Sequence, residues 1–255
     1  MRIRHGWWWA VLLGAHLAAV AAEDNKSPLS STIEFLLGED QWQPGDRYRA
    51  GNDWLALVCG KADCRFEPAK LAVRREKWQG HYDDTPTSGQ KLTLRRQAPG
   101  AGTVVAWFKL NPAVSWLAAG PVTTYAANTF KKKRPATEGT LELAVDLPGG
   151  EQATLVPLLD RQGSKFILQL RVPGKRQLLD ELGGCSRVVT SEYLVWAGDI
   201  DHDGKPDYLI DFADDVGEAK LYQGQEAGPG EIAGVAAVYV PPPFGGECDG
   251  QGWLE

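Results

Sequence analysis

The chain has 255 residues, 43% of them hydrophobic, which is enough apolar material for a proper core and excludes a disordered protein. Its 27 basic and 33 acidic residues give a net charge of −6, with no acidic tail and one short basic cluster, Lys131 to Arg134, followed by Pro135. An acidic balance argues against nucleic acid or an anionic membrane surface as a partner, since both select a basic excess.

The first residues carry an export signal. Arg2 and Arg4 form a basic start, Gly6 to Ala18 is an apolar run, and Ala19-Val20-Ala21 offers a small-x-small cleavage site, with Val20-Ala21-Ala22 as a one-residue alternative. Residues 1–21 are therefore expected to be a signal peptide, leaving a secreted or periplasmic chain of net charge −8. An uncleaved anchor would need about 20 apolar residues, and His16 interrupts a run shorter than that. No later stretch reaches a spanning length, so no membrane span is expected in the mature chain.

Downstream, alternating apolar and β-branched runs punctuated by Gly and Pro predict a mainly β protein of antiparallel sheets, packed as a sandwich or a barrel. The predicted strands of the first half are Ile33–Leu37, Trp54–Cys59, Leu71–Arg74, Leu92–Arg95 and Thr103–Leu110, and a short helical turn is expected after Pro112 through Val114, Trp116 and Leu117. Residues 127–139 form the best boundary, which suggests an N-terminal lobe at 27–128 and a C-terminal lobe at 139–255. The second half opens with a hairpin, Thr140–Asp146 and Gln152–Leu159 around the turn Leu147-Pro148-Gly149-Gly150. A turn at Asp160–Gly163 leads into Lys165–Val172, and Gln177–Leu182 is compatible with a short helix. Glu192–Ala197, Tyr208–Phe212, Ala219–Tyr222 and Val235–Val240 complete the strands. Trp54, Trp107 and Trp196 fall inside strands and read as core, the competing reading being a sugar-stacking platform.

Four cysteines, Cys59, Cys64, Cys185 and Cys248, all follow the signal, and an oxidising compartment would pair them. Three connectivities exist. Cys59–Cys64 is favoured because Gly60-Lys61-Ala62-Asp63 reads as a tight return after a strand, which leaves Cys185–Cys248. Zinc is disfavoured, because neither C-x-x-C spacing nor neighbouring histidines are present.

The segment Asp199-Ile200-Asp201-His202-Asp203-Gly204-Lys205-Pro206-Asp207 carries the strongest chemical signal. A hard cation such as Ca²⁺ takes six to eight oxygens, several of them charged. Carboxylates at positions 1, 3, 5 and 9, a glycine at 6 for the sharp turn and the Lys205 carbonyl at 7 match that need. Position 12 is Ile210 where an EF-hand would place Glu, so this is no EF-hand. The run Gly198 to Ile210 resembles the FG-GAP / VCBS type of calcium loop, the D-x-D-x-D-G-x-x-D hairpin of integrin-α-like propeller blades. The resemblance implies a structural Ca²⁺ held by Asp199, Asp201, Asp203, Lys205 and Asp207 between two strands. It covers about 20 residues in a single copy, whereas a propeller needs several blades, so it does not extend to the fold.

Catalytic signatures are sparse. His81 and His202 are the only histidines after the signal, which excludes a three-histidine metal site. His202 occupies loop position 4, aimed away from an ion. His81, beside Asp83 and Asp84, reads either as a general base or as part of a polar turn before Pro86. Phosphate loops and nucleophile elbows are absent. These features favour an exported, non-enzymatic structural or binding protein whose partner is a carbohydrate or another exported protein. The alternative is an exported hydrolase, acting for instance on glycans, whose acids leave no local signature.

Overall fold

A computed structural model describes residues 32–79, 85–98, 100–129, 142–159, 166–182, 193–212 and 218–241. Fifteen strands account for nearly all the regular structure: β1 (Phe35–Leu36), β2 (Asp40–Pro44), β3 (Gly51–Cys59), β4 (Cys64–Trp78), β5 (Thr87–Arg96), β6 (Thr103–Lys109), β7 (Gly120–Ala127), β8 (Leu143–Asp146), β9 (Gln152–Leu159), β10 (Phe166–Val172), β11 (Lys175–Leu182), β12 (Leu194–Asp199), β13 (Asp207–Asp211), β14 (Ala219–Gln223) and β15 (Gly234–Tyr239). All pairings are antiparallel and form two sheets, so the protein is mainly β as its sequence predicts.

The larger sheet runs β1-β6-β3-β4-β7-β12-β13-β14-β15, with β5 against β4 and β2 against β5. Its two ends approach each other. The Phe35 ring lies 6.0 Å from that of Tyr239, whose hydroxyl donates to Gln41 Oε1 at 2.8 Å. No strand ladder joins them, and the sheet is not closed into a barrel. Side chains gathered inside this curl form the first core, dominated by Trp54, Leu57, Trp107, Phe108 and Trp196. The smaller sheet, β11-β10-β9-β8, covers the other face of β12–β14 and closes a second core through Leu143, Leu155, Leu168, Leu170, Leu194, Tyr208 and Ile210. Every residue of β12 and four of the five in β13 are buried, because both faces of that hairpin are covered. This explains why Leu194-Val195-Trp196-Ala197 reads as an unbroken apolar run rather than an alternating one. A register shift between Leu194 and Trp196 places Val195 and Trp196 in the same core.

The pairing of β7 with β12 puts a strand of each predicted lobe in a common sheet. Two strands, β2 and β7, were absent from the sequence-based reading; β7 (Gly-Pro-Val-Thr-Thr-Tyr-Ala-Ala) is held by β4 on one side and β12 on the other. The helix expected at Gln177–Leu182 is a strand instead. Pro173-Gly174, with Gly174 at φ +76°, makes a two-residue turn that pairs Val172 with Lys175, and this hairpin overrides the helix-favouring Leu-Leu-Asp-Glu-Leu run. After Pro112 the chain makes two successive turns, with Val114 N–H donating to the Asn111 carbonyl and Leu117 N–H to that of Val114; no α-helix occurs among the described residues. Trp54, Trp107 and Trp196 are each at most 1% exposed, which closes them to any sugar ring and makes them core.

Cys59 and Cys64 are joined in a disulfide across the β3–β4 hairpin, where they are register partners. Cys185 and Cys248 lie outside the described residues. Bridging a five-residue separation stabilises by about 2 kcal/mol on the loop-entropy model. The double substitution Cys59→Ser, Cys64→Ser is expected to lower the unfolding free energy by that amount in a denaturant titration. An unchanged midpoint would show that the hairpin is held by its ladder alone. No helix among the described residues is long and apolar enough to cross a membrane, and the disulfide is consistent with an extracellular protein.

Candidate metal centre

The acidic loop joins β12 to β13, and the Gly198–Asp207 pair is the last rung of their ladder. Gly198 is required at this point. A Cβ there would collide with the Thr123 carbonyl on β7 and with the Trp196 indole, whose Cη2 lies 2.7 Å away, so only glycine lets the loop start so close to its neighbours. Two left-handed residues then curl the loop, His202 at φ 61° and Gly204 at φ +83°. The His202 side chain belongs to an exposed residue, as its place at loop position 4 predicts.

Within this curl, Asp199, Asp201 and Asp207 each contribute a carboxylate oxygen, and these oxygens lie within 4.8 Å of one another. Backbone N–H groups hold the carboxylates in position. Gly204 N–H donates to Asp199 Oδ2 (3.1 Å), Asp203 N–H to Asp201 Oδ1 (3.2 Å) and Lys205 N–H to Asp203 Oδ1 (2.7 Å). Asp207, fully buried, bridges two parts of the chain: Oδ2 accepts from Ile200 N–H at 2.7 Å and Oδ1 from Gly224 N–H at 2.9 Å. Asp203 stands outside the group of three; its other oxygen faces Lys205 Nζ at 3.6 Å.

The electrostatics leave a deficit of positive charge. Burial pushes the Asp207 carboxyl up to about 7, against the pull of the Ile200 and Gly224 N–H groups, and Asp201 and Asp203 add repulsion. The Asp201 carboxyl is likewise raised, first by burial and then by its acidic neighbours. Tyr125, on β7, is held above the usual phenol range by burial and by Asp199, Asp207 and Asp203. Among the described residues, the single basic side chain paired with the loop is Lys205, half in solvent. One atom is decisive. Asp199 Oδ1 is buried and has no hydrogen-bond partner, a rare and costly state for a carboxylate oxygen. A cation is the partner that suits it, so these residues fit a metal ion.

Sequence reasoning placed Asp199, Asp201 and Asp207 correctly in one cluster but missed the contribution of β14. Gln223 Nε2 donates to Asp201 Oδ2 at 3.1 Å, and Gly224 supplies its N–H to Asp207. A Cβ at Gly224 would meet Lys205 Cβ at 2.5 Å, so the close seating of the loop on this strand end also depends on a glycine. A glycine two residues beyond the predicted strand Ala219–Tyr222 was the only local signal for it. His81 lies outside the described residues.

Comparison with protein-family models, with curated proteins and with solved structures finds no match. The reading of the site therefore rests on its own geometry.

Proposed function

We propose that this is an exported, non-enzymatic protein of structural or binding role, in which a Ca²⁺ held at Asp199–Asp207 fixes the β12–β13 connection against β14. The observation that carries this reading is the buried, unpartnered Asp199 Oδ1 beside the carboxylates of Asp201 and Asp207. An all-oxygen donor set selects a hard cation, and a curled loop whose oxygens come from side chains and a Lys205 carbonyl suits the larger, more tolerant shell of Ca²⁺ over the strict octahedron of Mg²⁺. The D-x-D-x-D-G-x-x-D spacing supports the same metal through its resemblance to the FG-GAP type of loop. A structural role is favoured because the cluster sits between two strand ends and Asp207 is wholly enclosed, which leaves little room for a substrate there.

Calcium at about 100-fold over its dissociation constant is expected to add about 2.7 kcal/mol of stability, provided the unfolded chain binds none. For a chain of this length that corresponds to a rise in melting temperature of roughly 5–10 °C. Magnesium is expected to produce a much smaller rise. Scanning calorimetry of the purified protein in chelator, in calcium and in magnesium is the test. A melting temperature that ignores millimolar calcium, with no ion retained through purification, would reduce the loop to an acidic turn.

A further inference from the structure

A second feature lies on β2, β4 and β5, away from the acidic loop. Across the β4–β5 ladder Lys70 is the register partner of Arg95, and Arg74 that of Lys91, with Ala72 opposite Thr93 between them. Directly opposed residues of an antiparallel pair share a face, so four cations stand on one side of this hairpin as two like-charged pairs. They are four residues apart along β4, about 13 Å at strand rise. Like charges placed directly opposite are destabilising, and here the arrangement occurs twice in a protein of net charge −6. Arg74 is paired with Glu76, whereas Lys70, Lys91 and Arg95 make no ion pair among the described residues. Between the two cationic pairs runs an open groove of about 400 Å³, lined by Asp40, Ala72, Arg74, Lys91, Thr93 and Arg95.

We propose that this groove binds an anionic oligosaccharide bearing carboxylates, of the uronate type, with its acid groups on Arg74/Lys91 at one end and Arg95 at the other. The guanidinium fork suits a planar carboxylate, which it meets with two parallel hydrogen bonds. Between the cations the groove floor offers a contact for sugar hydroxyls: Ala72 leaves it flat, and Asp40, which accepts from Thr93 Oγ1 at 2.7 Å, supplies carboxylate oxygen to hydroxyl donors. Trp78, partly exposed, rests on the buried Trp42 with ring centroids 5.5 Å apart and carries the aromatic surface of this face, of the kind that packs on sugar rings. Among the described residues, none of the large exposed apolar ones, Leu110, Leu159, Leu178, Val238 and Val240, lines it, which favours a soluble anion over a lipid surface.

This proposal gives a ligand class to the binding role inferred above, and its test separates the two. Isothermal titration is carried out at constant calcium with a uronate oligosaccharide, the neutral oligosaccharide of the same length and an oligoglutamate peptide. The uronate is expected to bind about tenfold or more tighter than either control, and to weaken as salt is raised. Arg74→Gln and Arg95→Gln are each expected to weaken it about tenfold, the loss of one charge-assisted contact. Arg95→Gln should melt at or above the wild-type temperature, because it relieves a like-charged pair; Arg74→Gln should melt close to it, because the relief is offset by loss of the exposed Arg74–Glu76 pair; both should keep the calcium response. The proposal is overturned if the uronate does not bind, if the neutral sugar or oligoglutamate binds equally well, or if neither substitution changes the affinity. Each of those results leaves the calcium-dependent melting shift, and so the reading of the loop, standing on its own test.

Discussion

Asp207→Ala is expected to lower the unfolding free energy by roughly 2–5 kcal/mol and to abolish the stabilisation by calcium. Asp207 is fully buried, and its two oxygens accept from Ile200 N–H and Gly224 N–H. Truncation leaves both donors without partners in a closed site, at about 1–3 kcal/mol each. It also removes one carboxylate of the three whose oxygens converge. In chelator part of the loss is offset, since a buried carboxyl pushed up to about 7 carries a desolvation cost that alanine does not. In calcium no such relief remains and the linkage contribution, about 2.7 kcal/mol at 100-fold excess, is lost as well. The gap between variant and wild type should therefore widen when calcium is added. Denaturant titrations in both buffers measure it, and Asp207→Asn, which keeps one acceptor oxygen, should fall between the two. Equal midpoints for Asp207→Ala and wild type in calcium would mean that the residue anchors nothing.

The second large effect is expected at Trp196. Its side chain is fully buried in the first core, and Nε1 donates to Thr124 Oγ1 on β7 at 3.1 Å. Trp196→Ala should cost about 3–5 kcal/mol, the usual range for deleting a large buried aromatic side chain. The consequence reaches the loop, because Gly198 sits directly against the Trp196 indole and begins the curl that carries Asp199. Losing the ring removes the surface on which that turn rests, so calcium should raise the melting temperature less in the variant. Trp196→Phe keeps a ring in the cavity and should cost less while retaining most of the calcium response. Thermal unfolding with and without calcium reports both quantities. If Trp196→Ala stays within about 1 kcal/mol of wild type, the indole is not the support described here.

Features set by short-range chemistry were legible in the chain. The spacing of Asp199, Asp201 and Asp207 about a glycine turn is a local property, because backbone N–H groups within the same nine-residue loop orient the carboxylates. The β3–β4 hairpin and its Cys59–Cys64 bridge follow from an apolar strand and a tight return. Strands rich in apolar and β-branched residues, such as β6 and β9, were also recoverable, since burial on a sheet face imposes their composition.

What the tertiary structure alone decided involves residues far apart in sequence. Lys175–Leu182 is a strand because β10 offers it a ladder through the Pro173-Gly174 turn, a pairing energy that local helix preference does not contain. The Gly-Pro start of β7 hides a central strand whose partners, β4 and β12, come from either side of it in the chain. Gly224 and Gln223 join the acidic cluster only because β14 pairs with β13. The two cationic pairs face one another through the β4–β5 register, and Asp40 joins them from β2; a slip of one residue would turn them to the other face. Local geometry depends on neighbours a few residues away and is written in the spacing, whereas pairing depends on which distant strands bury each other's faces, and that is settled only when the whole core forms.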